Sequence, residues 1–164
     1  MRKYLAEAVG TFCLVFAGTS AIVGNWRGHP QGDCMKRVLF VCVENSNRSQ
    51  MAEAFARMHG GDWLESHSAG SHPSGIVNPK AIEVMREIGY DLTQHTSKAL
   101  GDLPNETFDA VVTMGCGDKC PTSRATRHED WQIPDPKHMA PEEFRAVRDL
   151  IESKVKELLV SLKG

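Results

Sequence analysis

The sequence predicts an α/β fold: a doubly wound, four-stranded parallel sheet with helices on both faces, and an apolar helix ahead of it at the N-terminus. Three observations carry that prediction. The run 37–42 holds Val38, Leu39, Phe40 and Val41 in succession, as expected of a central strand buried on both faces. Amphipathic helical patterns at 48–60 and 78–88 each precede a further strand candidate. From Pro141 onward one face stays apolar for nearly five turns. Strand and helix in alternation imply right-handed crossovers between parallel strands.

The elements follow in order. Met51, Phe55 and Met58 are spaced by four and three, which predicts a helix over 48–60 ended by Gly60-Gly61. Trp63 to Ala69 is a weaker strand candidate. Asn78-Pro79 supplies a cap and a proline at the first helical position, and Ile82, Met85 and Ile88 form the stripe to be buried before Gly89. Asp109 to Met114 reads as a second apolar strand, and Trp131 to Ile133 as a short further one. Pro141 opens the last helix with Glu142 and Glu143 in its first turn, and Phe144, Val147, Ile151, Val155, Leu158 and Leu162 form a packing stripe.

At 164 residues there is room for one ordinary domain with an appendage, here divided as 1–34 and 35–164. Residues 4–24 are apolar and nearly long enough to span a bilayer. Ala6-Glu7-Ala8-Val9-Gly10-Thr11-Phe12 and the following Leu14 to Thr19 resemble the first membrane helix of the aquaporin and glycerol-channel family, but no paired Asn-Pro-Ala loops follow. Arg2 and Lys3 would keep the N-terminus in the cytoplasm, so a spanning helix would export the rest, against Arg27, Lys36 and Arg37. The preferred reading is a channel-like remnant joined through the linker 28–33 to a domain starting at Met35. A membrane anchor and a signal peptide cleaved near Thr19-Ser20-Ala21 are the alternatives.

Composition narrows the function. Nineteen basic and 21 acidic residues give a net charge of -2 with no dense basic cluster, which argues against nucleic acid. Cys13, Cys34, Cys42, Cys116 and Cys120 are odd in number and lack a secreted-domain pattern, so reactive thiols in a reducing compartment are expected. No pair of ligand pairs has zinc spacing, and no metal is expected. His67 and His72 read as ordinary loop or edge histidines.

The chemistry concentrates in Cys42-Val43-Glu44-Asn45-Ser46-Asn47-Arg48-Ser49. A cysteine ends a strand, five residues follow, and Arg48-Ser49 leads into a helix. The backbone N–H groups of such a loop can wrap a tetrahedral oxyanion, with the helix N-terminus behind adding a favourable field. That field and Arg48 favour the Cys42 thiolate, so nucleophile and anion cradle are one object. At the carboxyl edge of a parallel sheet, Cys42, Cys116, Cys120 and Asp135 would meet at one pocket.

Cys42 to Ser49, Glu53, Ser68-Ala69-Gly70 and Asp135-Pro136 resemble the low-molecular-weight protein tyrosine phosphatase superfamily. Within it, Glu44-Asn45-Ser46, Arg48 to Glu53 and His95-Thr96-Ser97 are similar to the thiol-dependent arsenate reductases, over about 130 residues from Met35. The resemblance implies that Arg48 grips the dianion, Cys42 attacks it and Asp135 acts as general acid. It further implies that Cys116 and then Cys120 take up the disulfide, leaving a Cys116–Cys120 pair whose spacing suits a helical turn with α-carbons about 6 Å apart. Asn45 and Ser68 would hold the loop in shape. In several relatives Asn45, Glu53 and Ser68 help hold a monovalent cation. Lys98 follows Ser97 here, either replacing that cation or standing in solvent.

The implied enzyme is a cytoplasmic monomer without a tightly bound cofactor, acting on arsenate and served by thioredoxin or a similar dithiol. Two rivals stand beside it: a tyrosine phosphatase, and a membrane-anchored module that binds an oxyanion. Lys137-His138 takes the place where the phosphatase branch carries tyrosines, and the chain has only Tyr4 and Tyr90, which favours a small inorganic substrate.

Overall fold

The structure is a computed structural model and describes residues 35–103, 106–115 and 125–164. Among these, the elements run β1 (Lys36–Cys42), α1 (Arg48–Gly60), β2 (Leu64–Gly70), α2 (Pro79–Arg86), β3 (Phe108–Thr113), β4 (Ala125–Asp130) and α3 (Pro141–Lys163). Single-turn 3-10 helices occupy several connections, including Leu100–Asp102 and Pro136–His138.

The sheet is parallel throughout, in the order β2-β1-β3-β4. β1 is central, with Phe40 opposite Ser68 on one side and Val112 on the other. Its side chains alternate between two cores. Val38, Phe40 and Cys42 join the larger one with α1, α2 and α3, while Leu39 and Val41 pack with Ala69, Phe108 and Val111. Burial on both faces is why the run is apolar at every position. The chain leaves β1 for β2 on one side and returns to β3 on the other, so the carboxyl ends of β1 and β3 form the switch point where ligands bind in such sheets.

The helices follow their expected signals with shifts at the margins. The Asn78 side chain accepts a hydrogen bond from Lys80 N at 2.9 Å, with Pro79 at the first position of α2. The fully covered residues of α2 are Ala81, Val84 and Met85, leaving Ile82 and Ile88 at the rim of the core. In α1, Met58 lies outside the buried face while Met51 and Phe55 are fully covered. In α3 the expected stripe is buried from Phe144 to Leu158, and Leu162 packs at its edge. Glu143 caps the start of that helix, accepting from Ala140 N at 3.1 Å. Arg148 interrupts the stripe yet is buried, because it donates to Val84 O at 2.9 Å and to Glu87 at 3.1 Å, tying α3 to α2.

Two expectations are corrected. The last strand is not Trp131–Ile133 but β4 just before it, whose sequence Ala-Thr-Arg-His-Glu-Asp is mostly exposed. β4 is an edge strand with one neighbour, so backbone pairing to β3 forms it without an apolar run. Trp131 and Ile133 are buried as core anchors after the strand, and Trp131 N adds one bond to Thr113 O at 2.8 Å. Among the described residues, the two faces are likewise not covered alike, the second by a single-turn helix and loop rather than by an α-helix. All three α-helices share the larger core, and the smaller one is covered by Leu100, Leu103 and Ala125.

The apolar segment 4–24, Cys13, Cys34, Cys116 and Cys120 lie outside the described residues. Among those described, no helix is long and apolar enough to cross a membrane.

Candidate active site

The loop between β1 and α1 is turned inside out. Each of its carbonyls is held from outside: Cys42 O by Ser71 N at 3.2 Å, Val43 O by His72 N at 2.8 Å, and Glu44 O by Ser74 N at 3.0 Å. Asn45 O accepts from Gln50 Nε2, Ser46 O from Asn78 N and Asn47 O from Met51 N, all at 3.0 Å. With six successive carbonyls facing outward, the intervening N–H groups are directed to the loop's centre, where the N-terminus of α1 also points. Asn45 carries the tight turn at φ 48°, a left-handed conformation that asparagine tolerates better than most side chains. Gly70 lets β2 approach the loop, since a Cβ there would stand 2.7 Å from Val43 O.

Cys42 sits at the floor of this cradle, 3% exposed. Its Sγ lies 3.0 Å from Ser49 Oγ and accepts from Asn45 N at 3.2 Å. Directions in this cluster are fixed by Asn45, whose side chain is fully buried. Lys98 N can only donate, so the Asn45 atom 2.8 Å from it is the amide oxygen. The amide nitrogen then donates to Ser49 Oγ at 2.8 Å and to Ser68 Oγ at 3.0 Å. Each serine is left with its own hydrogen to give elsewhere. Ser49 donates to the Cys42 sulfur, and Ser68 donates to Glu53 Oε2.

Arg48, 5% exposed, reaches from the first turn of α1 to the loop that follows β4. Nη1 donates to Ile133 O at 3.0 Å, and Nη2 meets Asp135 Oδ2 at 3.3 Å. The other oxygen of Asp135 accepts from Lys137 N at 3.2 Å and so caps its own turn. Gly115, at φ 68°, lies against the guanidinium: a Cβ at this position would be 2.6 Å from Arg48 Nη1. Only glycine satisfies both the conformation and the contact.

Beneath the loop lies a second layer. Glu53, 1% exposed, is met by Arg57, by Ser68 and by Lys98 Nζ at 3.5 Å from Oε2. Gln50 is fully buried and donates to Asn45 Oδ1 and Thr96 O at 3.0 and 2.9 Å. Its Oε1 can only accept, so His95 Nδ1, 2.9 Å away, carries a hydrogen and His95 Nε2 accepts from Tyr90 OH at 2.9 Å. Burial pushes the proton affinity of His95 down, consistent with a neutral ring.

The structure thus brings Cys42 to Ser49, Glu53, Ser68, Lys98 and Asp135 to one place at the sheet's carboxyl edge. Lys98 is not simply solvated: its side chain is 26% exposed and turned to Glu53. Cys116 and Cys120 fall outside the described residues. Among those described, no group of three or more metal-ligating side chains stands together. Sequence reasoning had Gln50 and Gly70 only as members of the resembling motifs, and Gly115 only as a glycine that eases movement beside Cys116; their contacts with Asn45, Val43 and Arg48 were not foreseen. Gln50 gave a weak signal, as an amide next to the apolar stripe of α1, whereas the glycines act by an absent side chain.

Comparison with known proteins agrees with this geometry. The family profile described as low molecular weight phosphotyrosine protein phosphatase matches residues 37–164. The "glutaredoxin arsenate reductase" of Synechocystis is 38% identical over 131 residues, covering 78% of this chain and 99% of its own length. "Arsenate reductase 2" of Staphylococcus saprophyticus is 40% identical over 126 residues, covering 74% and 95%. A solved structure described as an arsenate reductase in the phosphate binding state superposes with a TM-score of 0.72 at 38% identity, over 77% of this chain and 98% of that one. The thioredoxin-dependent arsenate reductase of Corynebacterium glutamicum gives 0.66 at 31% identity, over 79% and 62%. With a profile match over three quarters of the sequence and relatives aligned nearly end to end, the chain belongs to the low molecular weight phosphotyrosine protein phosphatase family.

Proposed function

We infer that this chain is an arsenate reductase that works by a cysteine relay and serves arsenic detoxification. The observation that carries the reading is the inverted loop, whose outward carbonyls leave its amides to hold a tetrahedral dianion over Cys42. Val43, Glu44, Asn45, Ser46, Asn47, Arg48 and Ser49 form that cradle. In the first step Cys42 Sγ bonds to arsenic and an arsenic–oxygen bond breaks, Asp135 giving its proton to the departing oxygen. The guanidinium of Arg48 leaves its protein partners to take two oxygens of the dianion.

In the second step a Cys116 thiolate attacks Cys42 Sγ. A sulfur–sulfur bond forms, the sulfur–arsenic bond breaks, and its electron pair passes to arsenic, which leaves as arsenite. Cys120 then displaces the Cys42 thiolate from Cys116, and an external dithiol reduces the Cys116–Cys120 disulfide. Gly115, directly ahead of Cys116 in sequence, lies against Arg48, which supports a second thiol near the bound anion. The relatives named for arsenate reduction favour this branch over tyrosine phosphatase chemistry. A relative coupled to thioredoxin and another named for glutaredoxin point to a thiol protein as reductant. We assign the work to a cytoplasmic monomer in residues 35–164, with the Lys98 ammonium standing at Glu53 where a monovalent cation would otherwise serve.

The test is a mass spectrum taken under non-reducing conditions after one equivalent of arsenate. The expected product is a Cys116–Cys120 disulfide in the unaltered chain and a trapped Cys42–Cys116 disulfide in Cys120→Ser. Full thioredoxin-coupled turnover by Cys120→Ser overturns the relay.

A further inference from the structure

Glu44 is an odd residue for an anion cradle. A carboxylate two positions after the nucleophile adds negative charge where a dianion must enter. Its main chain is fixed, since the carbonyl accepts from Ser74 N at 3.0 Å and from Ser97 Oγ at 2.9 Å. The carboxylate therefore has a short reach, and one oxygen takes a bond from Ser46 Oγ at 3.3 Å. The other takes one from Lys137 Nζ at 2.5 Å. Lys137 is equally fixed: its N–H donates to Asp135 Oδ1, and it sits inside the Pro136–His138 turn. Asp135 in turn contacts Arg48. The ion pair thus joins the two loops that flank the cradle, the nucleophile loop on one side and the acid loop on the other.

We propose that the Glu44–Lys137 ion pair is a strap across the mouth of the site, which admits small inorganic oxyanions and excludes aromatic phosphate esters. This deepens the reading of the site as an arsenate reductase and rests on it. A free tetrahedral anion needs the cradle alone. An aryl ester must also lodge its ring between the two loops, in the space the strap occupies. Lys137 also cancels the Glu44 charge, so the entering dianion meets no net repulsion there. The pairing holds the Glu44 carboxyl below its ordinary range and raises Lys137, as expected for a pair made in the resting protein.

The experiment measures, in one assay, kcat/KM for p-nitrophenyl phosphate and the inhibition constant of arsenate, in the full chain. Glu44→Ala/Lys137→Ala removes the strap at constant net charge. The selectivity for the aryl ester over arsenate should rise about tenfold or more, the scale on which pocket walls discriminate. The charge swap Glu44→Lys/Lys137→Glu should return it towards the unaltered value. High salt, which screens an exposed pair, should raise aryl selectivity in the unaltered chain and leave the double alanine variant unmoved. Aryl hydrolysis by the double alanine variant that stays at the unaltered level, zero included, overturns the strap, as does a swap that keeps the raised selectivity. Arsenate that fails to compete at all in the unaltered chain instead overturns the reading of the site.

Discussion

Asn45 is where backbone strain, the Cys42 sulfur and the buried Glu53 side chain meet, so its substitutions separate those contributions. Its side chain makes four hydrogen bonds, to Ser49, Ser68, Gln50 and Lys98 N. Asn45→Ala deletes all four. Gln50 keeps Thr96 O and Ser68 keeps Glu53, so two losses are partly offset. At about 1 kcal/mol per bond the net loss is about 2–4 kcal/mol. Alanine at φ 48° adds about 1 kcal/mol of left-handed strain. The total of about 3–5 kcal/mol lowers the melting temperature by roughly 6–20 °C in a domain of this size. Asn45→Gly suffers the same polar losses without the strain and should melt no lower than Asn45→Ala, despite being glycine. Asn45→Asp keeps the shape but puts a carboxylate oxygen where the amide nitrogen was. Ser49 then donates to that oxygen and abandons Cys42, so kcat/KM for arsenate should fall by about 10²–10³, the usual cost of one donor at a reacting charge. Thermal melts by circular dichroism and initial rates with a coupled thiol reductant read both effects. A glycine variant melting well below the alanine variant, or an aspartate variant of full activity, would refute the reasoning.

The remaining expectations test other layers. Gly115→Ala forces a Cβ towards Arg48 Nη1 at a left-handed φ, costing about 1–2 kcal/mol of stability and, by displacing the guanidinium, about tenfold to a hundredfold in kcat/KM; an unchanged KM for arsenate in steady-state assays counts against the contact. Phe144→Ala empties a fully buried site of the larger core and should cost about 3–5 kcal/mol in urea unfolding, with kinetics little changed in the molecules that remain folded. His95 has its folded proton affinity below the ordinary value of 6.5, so its contribution is present above that pH and is lost as pH falls through the lower folded value. Urea midpoints at pH 7.5 and 5.5 should therefore fall more for the unaltered chain than for His95→Asn, by at most about 1.4 kcal/mol per pH unit.

How much of this was legible in the sequence depended on how each element earns its stability. β1, α1 and α3 are stabilised by their own buried side chains, so an apolar run, a stripe and a proline start announce them. β4 is held by backbone pairing along one edge, which leaves Ala125–Asp130 free to be polar and hides it from any periodicity. Trp131 and Ile133 carried the apolar signal one step too late, because the chain turns inward after the strand. The site divides in the same way. Cys42, Arg48, Ser49 and Asp135 carry reactive or charged groups whose spacing is visible. Gly115 and Gly70 act through close approach, and Gln50 through an amide that links Asn45 to the segment at Thr96. None of those roles can be read before the loops are folded together.

The cradle by itself does not choose arsenic. Phosphate and arsenate are both tetrahedral dianions near neutral pH, and inward-facing amides with one guanidinium serve either. What separates them is the electron pair that arsenic accepts when sulfur is removed from it. On the proposed relay and strap, selectivity for reduction comes from what surrounds the cradle: a second thiol able to reach Cys42, and walls that deny entry to competing esters. Arg48 is tied to both loops, touching Gly115, which directly precedes Cys116 in sequence, and Asp135, on the side from which Lys137 extends. In the proposed mechanism, an anion that draws the guanidinium off Asp135 would break its contacts with the loop of Asp135 and with Gly115 together. In the proposed relay, substrate binding, proton delivery by Asp135 and access of the Cys116 thiol are coupled through one side chain. Replacing Arg48 with lysine, which keeps the charge but loses the fork, should for that reason weaken anion binding and also slow formation of the first disulfide once arsenate is bound.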